Sequence, residues 1–281
     1  MENIKRLIEI RKKATEAVSI DDIPVIFQLL CDFINVNPEV QKLIEGYKLR
    51  MMVKIKDAEP YHLIIEDKNA EFNEGTLKSP DFIIKSNLKT ISKLFLVQVD
   101  PLEAYFSEVF KIEGELLKVI KFVEILELAF QLLEVNDNQD KKGVIDANSM
   151  KDLINVYLKG PSNVKPSQVP LFLEVLTVFV NNNPEAREII SEEDLSIQMK
   201  ITDLDNYIIL IDNNRMEWFK GEIPNPNLIL EMNLETSAEL LINGNPVSAY
   251  MEGKIIIEGD IAKALVLQDL IDIFLEFINL Q

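Results

Sequence analysis

Residues 4 to 90 reappear at residues 150 to 236 with a constant offset of 146, so the chain must fold as an architecture that can be built twice. Leu7-Ile8 falls on Leu153-Ile154, Pro24 on Pro170, Asn37-Pro38-Glu39 on Asn183-Pro184-Glu185, Tyr61 on Tyr207 and Gly75 on Gly221. After one deletion the offset becomes 145, where Pro101 meets Pro246, Ala104-Tyr105 meets Ala249-Tyr250 and Ile112-Glu113-Gly114 meets Ile257-Glu258-Gly259. A period this long is too large for a solenoid unit and fits a duplicated globular domain in which each copy has its own core.

The expected division is a first domain over 1–135, a polar linker over 136–148 built on Asn136-Asp137-Asn138-Gln139-Asp140, and a second domain over 149–281. With 47% hydrophobic residues the chain can bury both cores. Forty-seven acidic against 29 basic residues give a net charge of −18, which would repel a phosphate backbone over most approaches and excludes an obvious nucleic-acid binder. The single cysteine, Cys31, excludes an intramolecular disulfide. The opening residues are charged where a signal core would be apolar, Asn279-Leu280-Gln281 is not a peroxisomal address, and no run reaches membrane-spanning length; a cytoplasmic protein is expected.

Within a copy, Ile23, Ile26, Phe27, Leu30, Phe33 and Ile34 have helical spacing, and Asn37-Pro38 interrupts them. Short alternating runs at 49–55, 61–66, 70–73 and 82–88 predict four strands. Two short helices at 89–97 and 101–107, a fifth strand at 110–113 and a helix at 115–134 complete the copy. The order suggests an α+β fold in which each copy is a sheet covered on one face by helices.

The terminal helix of each copy carries one narrow polar stripe. In copy one it is Glu115, Lys118, Lys121, Glu124, Glu127, Gln131 and Glu134, and nearly everything else is aliphatic or Phe. A helix that only caps a sheet needs an apolar arc of about 100°. This arc is wider, so the helix must bury a second side against an apolar ligand, the other copy or a second chain.

The run Leu240-Leu241-Ile242-Asn243-Gly244-Asn245-Pro246, continuing through Tyr250-Met251-Glu252-Gly253-Lys254 to Ile257-Glu258-Gly259-Asp260, resembles the signature of the sterol carrier protein type-two domain. The element order is similar too. The resemblance implies two tandem copies of a five-stranded, mainly antiparallel sheet covered by helices and enclosing an apolar tunnel or pocket for sterols, fatty acids, acyl-CoA or phospholipids. Copy one departs from it with Val99 for Gly244 and Glu108 for Gly253, so a reshaped turn is expected before its last strand.

Catalytic constellations do not emerge. His62 is the only histidine and its counterpart is Ile208, so no His-dependent triad or zinc site can exist in both copies; an exposed strand-end residue is expected. Cys31 lies on an apolar helix face and is expected to be a buried small hydrophobe. No two of the nine glycines are closer than six residues, which excludes a Gly-rich phosphate loop. The 136–147 run has Lys141 and Ala147 where a calcium loop needs Gly and Glu. Neither a cofactor nor a metal is expected.

The expected activity is therefore non-enzymatic binding and transfer of a lipid or other apolar small molecule, in pockets of a few hundred Å³. The candidate lining is the matched pair Phe72 and Trp218, the matched pair Tyr105 and Tyr250, and the terminal-helix residues Phe122, Leu126, Phe130, Leu267, Ile271 and Phe274. Lys5, Arg6, Arg11, Lys12 and Lys13 form a basic amphipathic end suited to transient contact with an anionic membrane, against the ordinary reading of a solvated helix. The alternative function is an interaction module whose apolar terminal helices mediate domain or homodimer contacts without a small ligand.

Overall fold

The computed structural model describes residues 10, 18–96, 98–132, 145, 147–202, 204–243 and 246–279, the side chains of 129–132, 147, 148, 243 and 279 excepted. The chain divides into two compact units, one up to Asn148 and one from Ser149 on. Within the expected linker, 136–144 and 146 lie outside the described residues.

In the first unit α1 (Asp22–Val36) and α2 (Pro38–Leu43) precede β1 (Leu49–Ile55), β2 (Tyr61–Glu66), β3 (Asn69–Glu74) and β4 (Phe82–Ser86). Then come α3 (Leu88–Phe95), α4 (Pro101–Phe106), β5 (Lys111–Gly114) and α5 (Leu116–Leu132). The second unit opens with α6 (Ala147–Lys159) and then repeats the order of the described elements. Its elements are α7 (Gln168–Asn182), α8 (Pro184–Ile190), β6 (Leu195–Ile201), β7 (Tyr207–Asp212), β8 (Arg215–Lys220), β9 (Leu228–Met232), α9 (Leu234–Asn243), α10 (Pro246–Met251), β10 (Ile255–Gly259) and α11 (Ile261–Asn279).

Each sheet has five strands, in the orders β3-β2-β1-β4-β5 and β8-β7-β6-β9-β10. Three of the four pairings in each are antiparallel, and the central β1·β4 and β6·β9 pairs are parallel. This is the expected α+β class, with a mixed sheet. Alternation sets the faces: in β1, Leu49, Met51, Val53 and Ile55 are buried, whereas Lys54 is exposed.

The repeated residues act as local punctuation. Asn37 and Asn183 end one helix and cap the next: each side-chain oxygen accepts two backbone N–H groups, from Glu39 and Val40 or from Glu185 and Ala186, ahead of a proline in the first turn. Gly114 and Gly259 end the last strand at φ 123° and 105°, where a Cβ would lie 2.2 Å from the Asp81 carbonyl oxygen or 2.3 Å from that of Asn227. Only glycine fits there. The turn before β5, expected to be reshaped, keeps its handedness: Glu108 has φ 54° where Gly253 has 70°. Glu108 takes the left-handed region at a cost of about 1 kcal/mol.

The wide apolar arc of the terminal helices is used inside each unit. α5 packs on α1, α2 and β4, and α11 packs on α7, α8, α9, α10 and β9. A helix seated among other helices buries more of its circumference than one lying on a sheet. The domain's own helices thus cover much of the arc for which a ligand or second chain was expected.

Candidate functional site

The second unit holds an apolar cavity. Its floor is formed by Met199, Ile209 and Leu230, from the neighbouring strands β6, β7 and β9. Its walls are Leu173 and Leu176 of α7, Leu240 and Leu241 of α9, Pro246 of α10, and Leu267 and Ile271 of α11. No polar side chain lines it. Its volume is about 10 Å³, room for one water at most and well below the expected few hundred Å³. Four helical elements close over the sheet and their aliphatic side chains nearly fill the space.

The first unit carries phenylalanines at matching positions: Phe27 replaces Leu173 and Phe122 replaces Leu267. Phe95 lies between them, its ring 4.5 Å from Phe27 and 6.1 Å from Phe122. Phe122 also faces Phe82 at 6.3 Å, and Phe27 stacks on Phe72 at 5.0 Å. Tilted and stacked rings at these distances interlock the helices with the sheet.

The anticipated lining residues are therefore distributed over several environments. Leu267 and Ile271 meet at the cavity wall. Phe122 and Leu126 are buried on α5. Phe130 is on the same helix, with its side chain outside the described residues. Phe72, on edge strand β3, packs against α1 through Phe27, while its counterpart Trp218 on β8 donates from Nε1 to Glu174 Oε2 of α7 at 2.7 Å. Phe274 is wedged edge-on between Phe172 and Phe179 of α7 at 5.7 and 5.1 Å. Tyr105 is buried beside Phe106 and Phe110, whereas Tyr250 is 43% exposed.

Most of the cavity lining was not singled out from the sequence. Met199, Ile209 and Leu230 look like ordinary strand residues; only the strand order makes them neighbours. Lys5, Arg6, Arg11, Lys12 and Lys13 lie outside the described residues.

The chemically active residue types serve structure. His62, expected at an exposed strand end, is partly buried, and its Nδ1 donates to the Gly75 carbonyl at 2.9 Å; the carbonyl can only accept, which fixes the proton on Nδ1. In the second unit the matching Gly221 carbonyl accepts instead from Gln198 Nε2 at 3.0 Å. Gln198 is register partner to Ile208, as Met52 is to His62, so the polar member has changed strand while the bond it supplies remains. Cys31 is buried, and desolvation aided by Asp32 and Glu71 pushes its thiol up to about 12, far from thiolate reactivity near neutrality. Among the described residues no three His, Cys, Asp or Glu side chains gather as metal ligands. No helix among them is long and apolar enough to cross a membrane.

Two repeated units, each a helix-covered five-stranded sheet and one with an all-apolar cavity under its terminal helix, define a class of domain suited to small apolar ligands. The SCP-2 sterol transfer family matches residues 27–127 and 176–272, and the chain belongs to that family, carrying its domain twice. Similar solved structures include the sterol carrier protein domain 2 of Helicoverpa armigera, with 20% identity over 37% of this chain and 85% of that one and a TM-score of 0.32. A ubiquinone synthesis protein, UbiJ-SCP2, has 16% identity over 40% of this chain and 95% of that one, TM-score 0.32. Sterol carrier protein 2 like 2 of Aedes aegypti has 17% identity over 43% and 95%, TM-score 0.24. No curated protein matches the chain.

Proposed function

We propose that the chain is a non-enzymatic carrier of lipids and that the second unit is the one that loads. The carrying observation is the cavity whose ten lining residues are all apolar and come from three strands and four helices. A closed aliphatic cavity of this kind can open as a minor conformation that a ligand makes dominant. Burial of about 0.8 kcal/mol per methylene means that an acyl chain of about ten methylenes supplies roughly 8 kcal/mol toward opening it. With no polar group at the wall, selection among fatty acid, acyl-CoA, phospholipid and sterol-like ligands is loose.

Native mass spectrometry of the full chain, before and after incubation with palmitate, tests this. One lipid per chain is expected, and it should be lost in Leu267→Phe, which imports the first unit's ring into the cavity wall. Clean apo masses under all conditions would overturn the carrier reading.

The interaction module has one observation in its favour. Met251 is 80% exposed, and Tyr250, Ile256, Ile261 and Leu265, on the touching elements α10, β10 and α11, are also exposed. A concentration-dependent homodimer in light scattering, abolished by Met251→Glu together with Ile256→Glu, would favour it.

A further inference from the structure

On the outer face of the first sheet, three lysines stand in one row. Lys54 of β1 is the register partner of Lys85 of β4, and Lys85 is the register partner of Lys111 of β5. The next residues back along the strands, Val53, Ile84 and Ile112, form the equivalent row on the inner face and are buried. The lysine row therefore points away from the core. Adjacent strands lie about 4.8 Å apart, so three ammonium groups share a span of about 10 Å.

The row borders an open groove of about 430 Å³, which Lys56 also lines. Four lysines and one carboxylate, Glu108, give its lining a net charge of +3 in a chain of net −18. Lys85 pairs with Glu113, while among the described residues no carboxylate pairs with Lys54, Lys56 or Lys111. Like charges directly opposite one another destabilise a sheet, so such a row carries a cost that an anion would relieve.

The second unit supplies an internal control. Its equivalent row is Lys200, Glu231 and Ile256, again in register, with Lys200 Nζ 2.6 Å from Glu231 Oε1. The position of Lys56 is taken by Thr202. One copy of the same backbone thus neutralises its row internally, and the other leaves it cationic beside a groove. We infer that the row Lys54, Lys85 and Lys111, with Lys56, is a binding site for a phosphate group, as carried by a soluble phosphoester or by a phospholipid headgroup. The ammonium groups of Lys54, Lys56 and Lys111 each offer three N–H donors to phosphate oxygens, and Lys85 those that its pairing with Glu113 leaves, in charge-assisted bonds. A long polyanion is disfavoured by the net charge beyond the groove. This site is independent of whether either core takes a lipid.

The test titrates the full chain with inorganic pyrophosphate by calorimetry at low ionic strength, and in parallel floats it with vesicles of phosphatidylcholine alone or mixed with phosphatidylglycerol. Lys85→Glu with Lys111→Ile reproduces the second unit's row and should weaken binding at least about tenfold, with an unchanged circular dichroism spectrum. Should that variant fold poorly, Lys54→Gln and Lys111→Gln each remove one exposed charge and should each weaken binding. The reverse graft, Glu231→Lys with Ile256→Lys, should add a second site. Pyrophosphate binding without flotation assigns the source to soluble phosphoesters; flotation that requires the anionic lipid and the lysines assigns it to headgroups. Binding to neither probe, or binding indifferent to these substitutions in folded protein, would overturn the site.

Discussion

The two copies share a backbone plan and differ in what their side chains do with it. In the first, Phe27, Phe95 and Phe122 interlock helices and sheet; in the second, Leu173 and Leu267 leave a small aliphatic cavity at the matching place. On the outer face the first keeps three lysines in register and the second a neutral Lys-Glu-Ile row. The hydrogen bond to the Gly75 or Gly221 carbonyl is preserved by exchange, from His62 on β2 to Gln198 on β6. The bond is part-buried in both copies, and each keeps a donor for it although the donor sits on a different strand. Core side chains and surface charge are not held in common in this way. Each copy can therefore specialise, one toward ring-interlocked packing and a charged groove, the other toward an openable cavity.

The largest expected effect breaks what the copies have in common. Gly114→Ala and Gly259→Ala each force a Cβ into a backbone oxygen at a left-handed φ, and each should cost more than about 3 kcal/mol of the stability of its own unit. Urea unfolding read by fluorescence of Trp218, the sole tryptophan, should report Gly259→Ala directly and Gly114→Ala weakly. Equal loss of the Trp218 signal in both variants would show that the units unfold as one.

A smaller effect tests the difference between the cores. Phe122→Leu imports the second unit's residue, should cost about 1–3 kcal/mol, and should leave space in a core now packed with rings. Thermal melts should show the loss, and native mass spectrometry should detect lipid bound even when Leu267→Phe blocks the second unit. Failure to gain lipid would mean that ring packing is not what separates the two cores.

The smallest effect is a pH slope carried by Cys31, whose counterpart is Thr177. The folded thiol stays protonated up to about 12, whereas the unfolded thiol ionises near 8.5. The unfolded state therefore holds fewer protons between these values, and stability falls as pH rises through that window. Its contribution is fully present below about pH 8.5. Urea melts from pH 8 to 11 should show a shallower decline for Cys31→Ala than for wild type, and parallel slopes would dismiss the thiol as the cause.

Periodicity and turn residues made most of the elements legible. The strands at 49–55 and 61–66 coincide with the expected runs because alternation and flanking turns agreed there. The fourth strand was expected to reach Leu88, yet it ends two residues earlier at Ser86: Asn87 accepts the Thr90 N–H and caps α3, which starts at Leu88, one residue before the expected helix. The turn before β5 was expected to be reshaped for lack of a glycine, yet Glu108 takes the left-handed φ of 54° where Gly253 has 70°, while β5 begins one residue later than its counterpart β10.

By itself the sequence determined the duplication, the class of each unit, the Asn-Pro breaks that end α1 and α7, and that the single histidine has no counterpart in the second copy, because these depend on local spacing and on residue identity at matched positions. Tertiary structure alone decided which helices consume the apolar arc of α5 and α11, how nearly the cavity closes, and which lysines stand side by side. Those properties depend on strand order and register, which bring Lys54, Lys85 and Lys111 together across three strands although 31 and 26 residues separate them along the chain.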